Sequence, residues 1–194
     1  MNRALDVTVA GLGLVVVSPV LGCAAIAIKL DDGGPVLYRQ TRVGKDGKDF
    51  ELLKLRTMVV GAEQQGAGYA VDRGDPRITR VGRVLRRLSI DELPQLWNVV
   101  RGEMSVIGPR PTLRYQVERY DERQRRRLDV RPGLTGWAQI HGRATLPWAE
   151  RIELDLWYVR HHDWKTDLLI LLRTPLALFG GTYKGETGGW NPSG

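Results

Sequence analysis

Val7-Thr-Val-Ala-Gly-Leu-Gly-Leu-Val-Val-Val-Ser18-Pro19-Val-Leu-Gly-Cys23-Ala-Ala-Ile-Ala-Ile28 runs for 22 residues without a charged side chain, with Arg3 and Asp6 before it and Lys29 after. About 20 apolar residues cross the hydrocarbon of a bilayer, so the run reads as a membrane segment. A secretory signal has a shorter apolar region that ends at a small-residue cleavage site. Here the apolar run continues through Gly22-Cys23-Ala24-Ala25, and the segment reads as retained. Ser18-Pro19 lies in its middle, where proline removes a helical hydrogen bond and clashes with the carbonyl four residues back. A kink is expected there, with the Ser18 hydroxyl close enough to satisfy a freed carbonyl. Arg3 lies on one flank and Lys29, Arg39 and Arg42 on the other. Cationic flanks favour the cytoplasmic side, so a segment that enters and returns fits as well as a full crossing.

Beyond this segment the chain reads as α+β, mainly helical, with one β-hairpin. Asp31-Asp32-Gly33-Gly34-Pro35 ends the first helix, and Val36 to Val43 and Phe50 to Thr57 read as strands joined through Asp46-Gly47, a hairpin dipeptide. Residues 61 to 76 read as a loop. Ile78 to Leu88 sets Val81, Val84, Leu85 and Leu88 at helical spacing among Arg80, Arg83, Arg86 and Arg87. Leu93 to Val100, the charged stretch Leu113 to Leu128 and Trp148 to Val159 also read as helices, with a glycine-rich loop from Arg131 to Arg143. Trp164 to Phe179 has an apolar core, Leu168 to Leu172, too short to span. It reads as an amphipathic helix in the membrane interface, with Trp157, Tyr158 and Trp164 near headgroup level, or as a core helix. The end of the chain is polar and glycine-rich, a loose tail.

The 29 Lys and Arg outnumber the 22 Asp and Glu, for a formal charge of +7. That excess favours an anionic partner, whether nucleic acid, anionic lipid or a phosphorylated substrate. No nucleic-acid recognition motif is present, and such a role would leave the apolar run unexplained. The single cysteine, Cys23, excludes a disulfide framework and cysteine-based zinc spacing.

Chemistry concentrates at Ser89-Ile90-Asp91-Glu92-Leu93-Pro94. Ser89-x-x-Glu92 matches a capping box; alternatively Pro94 opens the helix and both acids sit in the preceding turn. Either arrangement suits phosphates and a divalent cation. Lys54 and Arg56 end a strand, Arg86 and Arg87 end a helix, and Arg110 is held between two prolines in Gly108-Pro109-Arg110-Pro111. Guanidinium groups grip phosphate through two hydrogen bonds at once. Neither Walker nor dinucleotide-binding glycine spacing occurs, and the glycines of residues 133 to 142 read as turns.

Five stretches in register are familiar together: Ser18-Pro19; Lys54-Leu55-Arg56-Thr57-Met58; Leu88-Ser89-Ile90-Asp91-Glu92-Leu93-Pro94-Gln95-Leu96-Trp97-Asn98; Gly102 to Pro111; and Arg131 to Gln139. From about Arg3 to Leu178 the chain closely resembles the monotopic phosphoglycosyl transferases, the bacterial sugar transferase family. The resemblance implies that Asp91 attacks the sugar-bearing phosphate of a UDP-sugar and releases UMP, and that polyprenyl (undecaprenyl) phosphate then takes the phosphosugar from the aspartate. It implies Asp91 and Glu92 as catalytic residues and Mg²⁺ ligands, with substrate binding by Lys54, Arg56, Arg86, Arg110, Gln139 and Arg143.

Structural roles follow from the resemblance for Ser18 and Pro19, which break a re-entrant membrane helix with both ends on the cytoplasmic face of the bacterial inner membrane. Asp155 and Asp167 match family acids and are expected to pair with Arg86 or the membrane segment. His141 stands where family members often carry asparagine. The expected division is a membrane helix at 1–30, a catalytic domain with interfacial helices at 31–180 and a tail at 181–194. Its length fits a minimal catalytic unit serving the first membrane step of glycan assembly. Membrane lipids are expected partners, nucleic acid is not, and a homodimer is left open.

Overall fold

The computed structural model describes residues 2–65, 74–142 and 146–179. The expected tail at 181–194 and Arg143 lie outside the described residues, as does part of the loop expected at 61–76. Helix α1 (Arg3–Asp32) runs as one helix through Pro19. The expected break at Ser18-Pro19 therefore does not end it. Proline's missing N–H would have bonded the carbonyl four residues back, Val15 O, and the Ser18 hydroxyl donates to that oxygen instead at 2.8 Å. Only 11% of the most apolar 18-residue window of α1 is buried, and Leu12, Val15 and Val16 are uncovered.

The hairpin forms as expected. Strands β1 (Leu37–Val43) and β2 (Asp49–Leu55) pair antiparallel from Leu37 opposite Leu55 to Val43 opposite Asp49. Asp46 and Gly47 both take positive φ at its tip, the conformation that makes Asp-Gly a hairpin signal. Helices α2 (Arg80–Arg87) and α3 (Gln95–Arg101) flank the acidic turn.

A second, parallel pair went unread in the sequence. Strand β3 (Ser105–Ile107) lies beside β4 (Gly133–Thr135), inside the loop expected at 131–143. The stretch expected as one helix over 113–128 is divided into α4 (Arg114–Val117), α5 (Glu122–Arg125) and a 3-10 turn, Arg126–Asp129. The cause is local: Asp121 Oδ1 accepts from Gln124 N at 2.7 Å and Gln124 Oε1 accepts from Asp121 N at 3.2 Å, so a capping box restarts the helix. The short α6 (Trp137–Ile140), α7 (Trp148–His161) and α8 (Trp164–Phe179) complete the described chain.

One core cluster joins α1 (Ala10), β2 (Phe50, Leu52), α3 (Leu96, Val99), β3 (Val106, Ile107), α7 (Tyr158) and α8 (Ile170). Helix α8 is amphipathic as expected, since Ile170 is core while Trp164, Leu168, Leu171, Leu172 and Leu176 stay exposed. Tyr158 is buried, and its hydroxyl donates to Asp167 Oδ1 at 2.7 Å, so one partner of Asp167 lies in the neighbouring helix.

Both ends of α1 are tied to this body. Arg3 donates to Val99 O at 2.6 Å and Val100 O at 2.8 Å. Asp6, 1% exposed, accepts from the Ser105 hydroxyl at 2.8 Å and from Val106 N at 2.9 Å. At the other end Asp31 Oδ2 accepts from Val81 N at 3.1 Å, and Asp32 pairs with Arg56. Removing Asp6 strands two buried donors that bond a charged group. Asp6→Ala is expected to lose about 3 kcal/mol of stability, read as a lower melting temperature in detergent, with Asp6→Asn losing less. An unchanged melting temperature for Asp6→Ala would show that α1 is not fastened through this residue.

Candidate active site

After α2, Ser89 adopts a left-handed conformation (φ 56°), and Ile90–Glu92 form a single 3-10 turn before Pro94 opens α3. Positive φ is uncommon for a residue other than glycine, asparagine or aspartate. The capping box expected at Ser89-x-x-Glu92 does not form, because Ser89 caps nothing in this conformation. The alternative arrangement, with both acids in the turn before Pro94, is the one adopted.

The turn is locked to the hairpin by Asn98, which is fully buried. Its Nδ2 donates to Glu51 O and Glu103 Oε2, each at 2.7 Å, and its Oδ1 accepts from Leu53 N at 3.0 Å. That docks α3 on β2 and brings Lys54 to the acids. Lys54 Nζ lies 3.0 Å from Glu92 Oε1. Arg110 grips the same carboxylate, with Nη2 at 2.5 Å from Oε1 and Nη1 at 3.3 Å from Oε2.

The loop carrying Arg110 is held by backbone and by one buried guanidinium. Gly108 N donates to Thr135 O at 2.9 Å and Gly133 N to Pro109 O at 2.8 Å. A Cβ on Gly133 would sit 2.0 Å from Gly108 N, so this glycine serves close approach and not the turn expected of it. Arg127, 5% exposed, donates to Arg110 O at 3.2 Å and to Asp155 Oδ2 at 2.5 Å, and also bonds the Tyr120 hydroxyl. Asp155 therefore pairs with Arg127 and not with Arg86 or the membrane segment. Arg127 was indistinguishable in sequence from its exposed neighbours Arg123, Arg125 and Arg126; only packing against Tyr120, Trp148 and Asp155 singles it out.

The two acids differ in their surroundings. Asp91 is 7% exposed and makes no hydrogen bond or ion pair among the described residues. Burial pushes its carboxyl up to about 6 against the pull of Lys54; the adjacent Glu92 adds to the rise, while Arg86 and Arg110 oppose it. Burial works against charge on Glu92 as well, but Arg110 and Lys54 hold it well below the usual carboxylate range.

Of the expected substrate-binding residues, Lys54, Arg86 and Arg110 surround the acids. Arg56 pairs with Asp32 through Nη2, and its Nε and Nη1 are buried without a hydrogen-bond partner among the described residues. Arg86 Nη1, Gln95 Nε2 and both amide atoms of Gln139 are buried without a hydrogen-bond partner among the described residues. Buried polar atoms are nearly always paired, so these are groups able to receive a ligand. Gln95 lies within the acidic motif, but nothing in its sequence context marks it as a site residue. Among the described residues no three His, Cys, Asp or Glu side chains gather into a metal cage. Mg²⁺ is commonly held by one or two carboxylates together with substrate phosphates and water, and Asp91 with Glu92 fit that donor set.

The profile of the bacterial sugar transferase family matches residues 1–181. The chain belongs to that family. It is 46% identical over 185 residues to the UDP-glucose:undecaprenyl-phosphate glucose-1-phosphate transferase of Caulobacter vibrioides, covering 91% of this chain and 69% of that protein. It is 42% identical over 187 residues to the UDP-N-acetylgalactosamine-undecaprenyl-phosphate N-acetylgalactosaminephosphotransferase of Aeromonas hydrophila, covering 93% of this chain but 44% of that protein. The exopolysaccharide production protein ExoY of Sinorhizobium fredii is 40% identical over 198 residues, covering 94% of this chain and 88% of that protein. The chain thus spans less than half of the Aeromonas relative and most of ExoY.

A carboxyl raised by burial keeps its proton to higher pH in the folded than in the unfolded state. Stability is then lost as pH rises from the unfolded value of 3.8 to about 6, and the loss is complete above that window. Asp91→Asn cannot ionise. With divalent cations chelated it should be more stable than wild type by about 2 kcal/mol at about pH 7 and lose that advantage at about pH 4. Equal melting temperatures at the higher pH would show that charge on Asp91 costs the fold nothing.

Proposed function

We propose that this protein transfers a sugar 1-phosphate from a UDP-sugar to polyprenyl phosphate, undecaprenyl phosphate in bacteria, releasing UMP through a phosphosugar–aspartate on Asp91. The carrying observation is the asymmetry of the acidic pair: Glu92 is clamped by Lys54 and Arg110, whereas Asp91 stays uncommitted. A carboxylate free of hydrogen bonds keeps its lone pairs for phosphorus. An Asp91 oxygen attacks the sugar-bearing phosphorus, the bond to the bridging oxygen breaks, and the electron pair leaves on UMP. A phosphate oxygen of the polyprenyl carrier then attacks the same phosphorus and expels the Asp91 carboxylate.

Arg110, Lys54 and Arg86 offset phosphate charge during both displacements. The unpartnered Arg86 Nη1 and Gln95 Nε2 supply further donors beside the acids. Mg²⁺ held by Asp91 and Glu92 would neutralise the diphosphate of the donor. The names of the relatives, which specify UDP-sugars and undecaprenyl phosphate, support the same substrates here.

A membrane position is supported by the uncovered apolar surfaces of α1 and α8. The attachment of both ends of α1 to one body favours entry and return over a full crossing, and the cationic flanks Arg3 and Lys29 favour the cytoplasmic side. Purified protein in detergent should release UMP from one member of a panel of UDP-sugars when undecaprenyl phosphate is present. Chelation should stop release and Mg²⁺ restore it. Arg110→Lys should lose tenfold or more, on the order of 1.4 kcal/mol, because lysine cannot make the two-pronged contact. Release by Asp91→Asn at the wild-type rate, or by no UDP-sugar with wild type, refutes the reading.

A further inference from the structure

Helix α2 has two unlike faces. Gly82 and Leu85 are buried, and Leu85 with Val81 packs against Ala24 and Ile28 near the end of α1. The opposite face carries Arg80, Arg83, Val84, Arg87 and Leu88, all exposed. Their spacing of three, four, seven and eight residues places them in one stripe. Val84 and Leu88 are each 56% exposed. None of the three arginines makes an ion pair among the described residues, whereas Arg39, Arg110, Arg114 and Arg123 all face carboxylates.

Three unpaired guanidinium groups around two uncovered aliphatic side chains are poorly served by water alone. Phospholipid headgroups receive both, with phosphate for the arginines and the acyl boundary for Val84 and Leu88. Helix α1, on which the other face of α2 packs, carries uncovered apolar side chains of its own, Ile26 and Leu30. Arginines spread over two helical turns match a field of headgroups better than one phosphate.

We propose that the Arg80–Arg83–Arg87 stripe docks on anionic phospholipid headgroups and seats α2 at the membrane surface. Because α2 passes through Leu88 and the left-handed Ser89 directly into the Asp91 turn, the docked helix sets the height of Asp91 above the bilayer from which a lipid-borne acceptor arrives. This inference rests on the membrane position in the functional reading but adds a lipid charge requirement to it. Each arginine near an anionic surface contributes about fivefold to the attraction, and salt screens it.

The test uses the full chain with a polarity-sensitive fluorophore on Val84→Cys in a Cys23→Ser background. It is reconstituted in phosphatidylcholine vesicles with and without phosphatidylglycerol. Expected are blue-shifted emission and protection from a neutral aqueous quencher only where phosphatidylglycerol is present. High salt and the Arg80→Gln/Arg83→Gln/Arg87→Gln variant should each reverse both. A label exposed to water in both vesicles overturns the proposal, as does equal protection in neutral vesicles or in the triple variant. The functional reading is judged apart, by UMP release from the wild-type chain in detergent, where no bilayer is present.

Discussion

The carboxylate of Glu92 is where three separate parts of the chain meet. Lys54 arrives on β2, Arg110 on the loop after β3, and Glu92 on the turn after α2, so the clamp closes only when the hairpin, the parallel pair and α2–α3 are docked together. Removing one partner of this partly buried cluster leaves the Glu92 charge less well compensated, which makes each contributor dependent on the other two. Asn98 fastens the turn to β2 from behind, and Arg127 fastens the Arg110 backbone to Asp155 on α7. With the cations committed to Glu92, Asp91 remains beside them without a side-chain bond of its own among the described residues. The cost of burying its charge is what makes it available.

The same body that holds the clamp leaves a large apolar surface uncovered. Helices α1 and α8 each place one face in a common core around Ala10 and Ile170 and turn aliphatic side chains outward on the other. In hydrocarbon an unsatisfied backbone group is expensive, and the Ser18 hydroxyl removes the one such group that Pro19 creates. The N-terminal end of α1 is fastened to β3 and the C-terminal end to α2 and Arg56. The acidic turn between α2 and α3 is thereby held close to α1, the helix proposed to meet the lipid.

Much of this was legible in the sequence because local signals agreed with tertiary outcome. Asp46-Gly47 made its hairpin, Ile78 to Leu88 its helix, and the acidic pair fell in the turn before Pro94. What failed to show were elements too short for a period and polar residues whose burial depends on distant partners. Strands β3 and β4 have three residues each, and every residue of β3 is buried, so no alternation marks it. Asp6 read as the border of an apolar run, yet it bonds Ser105 and Val106 about a hundred residues on. Asn98 reveals itself only as a polar residue among Leu96, Val99 and Val100. The box Asp121-x-x-Gln124 that divides the expected long helix was present as a readable signal, hidden by the surrounding charge.

In the proposed reaction Asp91, and not its clamped neighbour, carries the phosphosugar. A carboxylate intermediate needs no acceptor to form, so rapid quenching after incubation with the productive UDP-sugar alone should give protein heavier by one phosphosugar. Peptide mapping should place the added mass on Asp91. An adduct on Glu92 or elsewhere would contradict the assignment, and wild-type turnover with no adduct at any time would replace it with direct transfer between the two bound substrates.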